Sequence, residues 1–400
     1  LSHTILIASF GFYPETHGIA QAAYQQAMGL HRLGYKITVV TQVSEQPRSI
    51  PFDVIGFPLS PSRLPKFDEI EVGKTYQQFL KQSNFDVLFF HGWESWVSEL
   101  ALPILDQIRG KKVLVSHGTT IHLRYPGIKG WLRWLRNRPA AWQFSRKLTA
   151  FDYYVFLSKK QDKQRLTDFI EAKRLDLHNS SIIPNGAHPS FFQQPSTDFW
   201  DKFGLNKAKM LLCVGNFSRE KGQLELIKWF IEISPKDTIL VLIGSHFNDY
   251  SNQLKKAIGE HLNTRIFLFE KLSLEDIHAA YCAATLFVSA TFTEVQPLVL
   301  LDAMAVGLPF LCRDVGAVST LEGGLCFKDK AEFKVLLKRL LRSPFTLQSF
   351  GDKGKTAALT IYHWDLIAES YHSLIQHLSS AQNNTQKKTE FRTKNQAHSA

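Results

Sequence analysis

Short runs of apolar, β-favouring residues alternate with longer amphipathic segments along most of the chain. The runs predict strands at Ile5–Ser9, Ile37–Thr41, Val87–Phe90, Val113–Ser116, Tyr153–Leu157 and Ser181–Ile183, then at Leu211–Gly215, Ile239–Ile243, Ile266–Phe269, Leu286–Ser289 and Phe310–Arg313. Between them apolar residues recur at helical spacing, as in Ile19–Leu33, Gln223–Ile233, Leu274–Ala283 and Leu298–Val306. Strands that are apolar throughout need cover on both faces, the condition of a parallel sheet wrapped by helices. One sheet of eleven strands would be unusually wide. The pattern therefore predicts an α/β protein with two doubly wound domains. The turn at Pro184-Asn185-Gly186 and the polar, proline-containing sequence after it, to about Lys209, mark the break, so domains are expected at 1–186 and 187–362. Apolar residues at Leu366, Ile367, Tyr371, Leu374, Ile375 and Leu378 predict a last helix over Trp364–Leu378 with one buried face. Ser379–Ala400 is rich in Ser, Gln, Asn, Thr and Lys and is expected to be disordered.

With 44% hydrophobic and 21% charged residues, the composition is that of a soluble globular chain. Four hundred residues bury cores large enough to need neither disulfides nor metal. The four cysteines, at 213, 282, 312 and 326, form no C-x-x-C pair, which argues against zinc ribbons and for a reducing, cytoplasmic setting. No apolar run reaches the roughly 18 residues of a membrane span. The N-terminal apolar stretch has no basic n-region before it and reads as a strand rather than a signal peptide. Lys and Arg (47) exceed Asp and Glu (36) by 11, which favours anionic partners. No nucleic-acid motif accompanies that charge.

In open parallel sheets ligands bind beyond the carboxyl ends of strands, where helix N-termini point. Three strand-to-helix junctions carry candidate chemistry. After the first strand, His17-Gly18 opens a helix, and a glycine there either admits a ligand to backbone N–H groups or simply turns the chain. In Gly215–Gly222, Lys221 stands at a helix start, where its charge opposes the helix dipole unless an anion is shared. That reads as a phosphate site; the plainer alternative is a solvated lysine paired with Glu220 or Glu225. In Thr291–Pro309, Glu294 lies in the loop and Asp302 interrupts an apolar helix that opens at Pro297. Two such carboxylates suit vicinal sugar or ribose hydroxyls. Alternatively Glu294 faces solvent and Asp302 sits in a structural pair.

These motifs, with Ile183-Pro184-Asn185-Gly186, the run Ala303–Pro309 and His363-Trp364-Asp365, resemble the retaining glycosyltransferases of family 4 over nearly all of residues 4–378. The resemblance implies the GT-B fold: two Rossmann-like domains facing across a cleft, a nucleotide-sugar donor held mainly by the second, and a last helix over 363–378 crossing back to the first. It implies that Lys221 binds the donor diphosphate, that Glu294 touches the sugar and that Asp302 holds the ribose. The N–H groups of Leu298 and Val299 would meet the diphosphate or sugar, Gly18 would approach the phosphates, and His117 would lie near the reacting sugar. No metal or cofactor is implied. Asn216 stands where the family has an arginine, Asp302 where it has a glutamate and Pro297 where it usually has glycine.

From Gln107 to Phe151 there are ten basic residues and no Asp or Glu. Within it Ile128, Trp131, Leu132 and Leu135 share one helical side, with Trp134 at its margin and Lys129, Arg133 and Arg136 opposite. Tryptophan beside a basic face predicts a helix lying on an anionic membrane surface. A core helix with solvated arginines, or a basic channel for a phosphorylated acceptor, would show the same pattern. The expected function is sugar transfer to a glycan or lipid-linked acceptor in cell-surface polysaccharide or glycolipid synthesis, at the cytoplasmic face of a membrane. The alternatives are a sugar phosphorylase or epimerase on the same scaffold, or a non-catalytic sugar- or nucleotide-binding protein.

Overall fold

The computed structural model describes residues 3–397 except 16, 46, 48, 61–64, 120–127, 137 and 161–167, with backbone only at 129, 133, 140, 141 and 381–397. Its strands form two wholly parallel sheets. The first contains β1 (Thr4–Ala8), β2 (Lys36–Gln42), β3 (Asp53–Phe57), β4 (Val87–His91), β5 (Lys111–Ser116), β6 (Tyr153–Phe156) and β7 (Ser180–Ile182), in the order β3-β2-β1-β4-β5-β6-β7. The second contains β8 (Lys209–Val214), β9 (Thr238–Gly244), β10 (Ile266–Glu270), β11 (Leu286–Ser289), β12 (Phe310–Arg313) and β13 (Gly324–Phe327), in the order β10-β9-β8-β11-β12-β13. The expected class, α/β with two doubly wound sheets, is the observed one.

Both faces of each sheet are buried. In the second, Met210, Leu212, Val241 and Phe287 point into one core while Leu211, Cys213, Leu240 and Leu286 point into the other. This is why the strand sequences are apolar throughout instead of alternating. The two strands that the pattern misses, β3 and β13, are both at sheet edges. A glycine interrupts β3 and one opens β13, and their half-covered positions leave no continuous apolar run.

The chain forms two compact units. The first takes the chain to Leu157, Asp168–Ile183 and the chain from Asp365; the second takes Pro184–Trp364 and the stretch that starts at Ser158. The division falls at Ile183/Pro184 because the Ile183 N–H still donates to Phe156 O, whereas the Ala187 N–H donates to Tyr362 O. The last helix, Trp364–Ala397, buries Ile367, Ala368, Tyr371, Leu374, Ile375 and Leu378 in the first unit. Tyr371 meets Phe89 edge-on at 5.6 Å, and the Arg32 guanidinium pairs with Asp365 at 2.8 Å. Residues 379–397, expected to be disordered, continue this helix. Extending an existing helix adds a hydrogen bond for each residue ordered, and Gln, Lys, Glu and Ala tolerate it well.

The helix Gly18–Arg32 packs on this last helix at glycine distance: a Cβ on Gly29 would stand 2.7 Å from the Ala368 Cβ. Gly29→Leu should therefore push the helices apart at a cost of about 1–3 kcal/mol. Urea unfolding followed by circular dichroism checks this, and an unchanged midpoint would show that the contact yields freely.

Candidate active site

In the second unit the Lys221 loop and the Glu294 loop are fastened together. The Phe292 N–H and the Thr291 hydroxyl both donate to Glu220 O, at 2.8 and 3.2 Å. Gly222, at φ 65°, makes the approach feasible, since a Cβ there would lie 2.1 Å from Ala290 O. The buried Gln223 amide ties the preceding turn, donating to Gly215 O and Asn216 O at 3.2 and 3.0 Å. So held, Lys221 Nζ reaches Glu294 Oε1 at 2.5 Å. Burial opposes the ammonium, but the Glu294 carboxylate outweighs it and holds the Lys221 pKa above its ordinary value. Glu294, rather than Glu220 or Glu225, is thus the carboxylate paired with Lys221. Asn216 and Arg219 are exposed.

Beyond Glu294 the helix Leu298–Val306 begins, with Pro297 at its N-cap rather than in its first turn. Leu298 and Val299 form the first turn, whose N–H groups have no carbonyl one turn back. Asp302 Oδ1 accepts from the His188 N–H at 2.8 Å, and Gln296 Oε1 accepts from the Asn185 N–H at 2.7 Å. The Pro184–His188 segment is thereby pinned beneath the acid motif. Asp302 is drawn into a structural hydrogen bond by one oxygen. Burial pushes its carboxyl up to about 7, with the His188 N–H pulling the other way.

In the first unit Gly18 is exposed and opens the helix Gly18–Arg32, capped by His17, whose Nδ1 accepts from the Ala20 N–H at 3.3 Å. His17 Nε2 meets Glu15 Oε2 at 3.0 Å. His117 follows β5. Its Nε2 lies 3.1 Å from His91 Nδ1, and His91 Nε2 lies 2.6 Å from Gln26 Oε1. Burial, then the neighbouring His17, push the His117 pKa down to about 4, so its ring is neutral near pH 7.

The helix Ile128–Arg136 leaves its apolar side uncovered: Ile128 is 79% exposed, Trp131 46% and Leu132 54%. Trp142, on the next helix, is 73% exposed, while Phe144 anchors that helix in the core. Trp134 is half-buried with the Arg138 guanidinium 4.9 Å over its ring, and Arg136 is exposed. The side chains of Lys129 and Arg133 lie outside the described residues, as does Arg124. Among the described residues no helix is long and apolar enough to cross a membrane.

Two family models match the chain: Glycosyltransferase Family 4 over residues 16–191 and Glycosyl transferases group 1 over residues 208–343. The chain belongs with the family 4 glycosyltransferases. This glycosyltransferase is 22% identical over 395 residues to alpha-monoglucosyldiacylglycerol synthase of Acholeplasma laidlawii, which takes in 92% of this chain and 95% of that one. It is 30% identical over 217 residues to TuaC of Bacillus subtilis, named for teichuronic acid biosynthesis, covering 53% of this chain and 49% of the relative. The chain thus spans about half the length of that relative. Among solved structures, sucrose-phosphate synthase from Thermosynechococcus elongatus superposes with a TM-score of 0.78 at 18% identity, over 95% of this chain and all of the other. HepE of Anabaena, solved with UDP and glucose, gives 0.71 at 14% identity over 94% of this chain and all of its own. The fold of the glycosyltransferase is GT-B.

Sequence reasoning missed Gln26, His91, Gln223 and Gln296. A histidine closing the strand Val87–His91 was the one available signal, because the carboxyl end of a parallel strand is where ligands bind. The three buried glutamines carry no local signal, since the partners of Gln26 and Gln296 come from other elements and Gln223 ties only the turn before its own helix.

The raised Asp302 pKa has a sign that can be checked. In the unfolded chain an aspartate ionises near about 3.9. Between that value and about 7 the folded protein keeps a proton that the unfolded chain has lost, so this group's contribution to stability is full in acid and is lost as pH rises through about 7. Urea unfolding between those limits should show Asp302→Asn lacking that decline, with wild type falling relative to it by at most about 1.4 kcal/mol per pH unit. Parallel pH profiles would remove the assigned burial effect.

Proposed function

We propose that this glycosyltransferase moves a sugar from a nucleoside diphosphate sugar to a glycan or lipid-linked acceptor with retention at the anomeric carbon, in cell-surface polysaccharide or glycolipid synthesis. The observation that carries the reading is the Lys221–Glu294 pair beside the first turn of Leu298–Val306. A diphosphate offers Lys221 a more highly charged partner, and its move frees Glu294 to accept from sugar hydroxyls. Lys221 and the N–H groups of Leu298 and Val299 then stabilise the charge that develops on the leaving diphosphate, a role that asks for no metal. The second oxygen of Asp302 is assigned to the ribose. His117 is assigned to the reacting sugar as a neutral hydrogen-bonding group, and Gly18 to the phosphates. Names such as teichuronic acid biosynthesis and monoglucosyldiacylglycerol synthase among the relatives favour surface-polymer and lipid acceptors.

A thermal-shift screen of UDP-glucose, ADP-glucose and GDP-mannose should find one that raises the melting temperature, because a ligand bound only by the folded state stabilises it. For that donor Lys221→Ala should weaken binding by about 1.5–3 kcal/mol. Glu294→Gln should instead lower turnover at near-normal nucleotide affinity. Equal donor affinity in Lys221→Ala and wild type would remove the phosphate role. The anomeric configuration of the product, read by proton NMR, tests retention.

The exposed apolar side of Ile128–Arg136, set in a stretch without acidic residues, supports peripheral attachment to an anionic, cytoplasmic leaflet. Each basic residue near such a surface contributes about 1 kcal/mol. The protein should sediment with phosphatidylglycerol-containing vesicles at low salt and be released at high salt, and Trp131→Ala with Leu132→Ala should weaken this. A protein that stays in the supernatant at low salt does not use the helix in this way.

A further inference from the structure

Three polar side chains from three elements meet at the carboxyl edge of the first sheet, and two of them are fully buried. Gln26 comes from the helix Gly18–Arg32, His91 closes β4, and His117 follows β5. Gln26 and His91 are each 1% exposed. Strands β4 and β5 are neighbours, with His91 in register with Val115, so the two histidines are placed side by side by the ladder itself. Their rings stack at 5.3 Å between centroids.

The hydrogen bonds link these groups into one chain, and such a chain has a direction. An uncharged imidazole carries one N–H and one bare nitrogen, so what one ring nitrogen does dictates what the other can do. The Gln26 carboxamide oxygen faces His91 Nε2 at 2.6 Å and can only accept. His91 Nε2 therefore carries the proton and its Nδ1 is bare. That bare nitrogen, 3.1 Å from His117 Nε2, accepts from it. His117 then has its proton on Nε2 and a lone pair on Nδ1. Burial lowers the pKa of both rings, which keeps the chain uncharged and its direction single-valued near neutral pH.

We propose that Gln26 and His91 are positioning residues that hold His117 in the Nε2-protonated tautomer, leaving His117 Nδ1 as a hydrogen-bond acceptor for a hydroxyl of the bound sugar. The inference deepens the proposed function and rests on its assignment of His117 to the sugar. Gln26 acts at two removes, through His91. Its own Nε2, buried with no partner among the described residues, is the group sacrificed to that orientation. Turning the amide over would reverse every donor in the chain and make His117 Nδ1 a donor instead.

The test needs no substrate. The full chain labelled with nitrogen-15 histidine, near neutral pH, reports each ring's tautomer through couplings between ring nitrogens and ring carbon-bound protons, with His91→Gln and His117→Gln assigning the two spin systems. Wild type should show both rings as single Nε2-protonated tautomers. Finding His117 protonated on Nδ1 overturns the proposal. Gln26→Met removes the terminal acceptor while keeping volume, and His117 should then pass from one tautomer to a mixture. An unchanged His117 spectrum in a folded Gln26→Met protein would also overturn it. If that variant does not fold, the wild-type spectrum still decides. The underlying assignment is tested separately, by turnover of the donor found by thermal shift in His117→Ala. Full turnover there removes His117 from the reaction, and it does so whatever the spectra show about the relay.

Discussion

In each sheet every strand runs parallel to its neighbours, so all strands of a sheet deliver their chains to the same edge. A parallel ladder can be closed only by crossover connections, and those connections are the helices that cover both faces. One edge of each sheet therefore gathers strand ends, loops and helix N-termini, and the polar groups of interest are found there. Lys221, Glu294, His91 and His117 all lie within seven residues of a strand's carboxyl end. Their chemistry follows from this arrangement, because the cores beneath are apolar and the edge is where polar side chains find partners.

Within the second unit the decisive contact is backbone on backbone. Gly222 lets one loop press against Ala290, and the Glu220 carbonyl is shared by Thr291 and Phe292. The pairing of Lys221 with Glu294 accompanies this backbone fit. The same logic applies below the acid motif, where Gln296 and Asp302 hold the N–H groups of Asn185 and His188. Asp302 takes up the structural role that its position allowed, accepting from the His188 N–H. One oxygen serves structure, and burial pushes the carboxyl it belongs to up to about 7.

Much was legible along the chain because periodicity and strand composition are local. Apolar spacing placed the helices Gln223–Ile233, Leu274–Ala283 and Leu298–Val306 at their observed ends, and it placed eleven of the thirteen strands described. Lys221 and Asp302 could be picked out because a charge at a helix start or in an otherwise apolar helix is locally costly and so asks for a reason. The exposed side of Ile128–Arg136 was visible as a pattern, but whether it faced core or solvent was not. An amphipathic wheel has the same sequence in either setting, and only the exposure of Ile128, Trp131 and Leu132 in the folded chain shows which way the segment turns.

Local residue order, then, was enough to set the two-sheet architecture, the principal helices and the charged members of the candidate site, since each is written in spacing or composition over a few turns. It could not set who meets whom. Lys221 and Glu294 are 73 residues apart, His188 and Asp302 are 114 apart, and Gln26 and His91 are 65 apart. Those partners are chosen by sheet order and loop approach, which in turn settle the proton on His117 and the near-neutral pKa of Asp302. A hydrogen-bond direction or a burial penalty is a property of an assembled neighbourhood, and no stretch of chain read alone contains it.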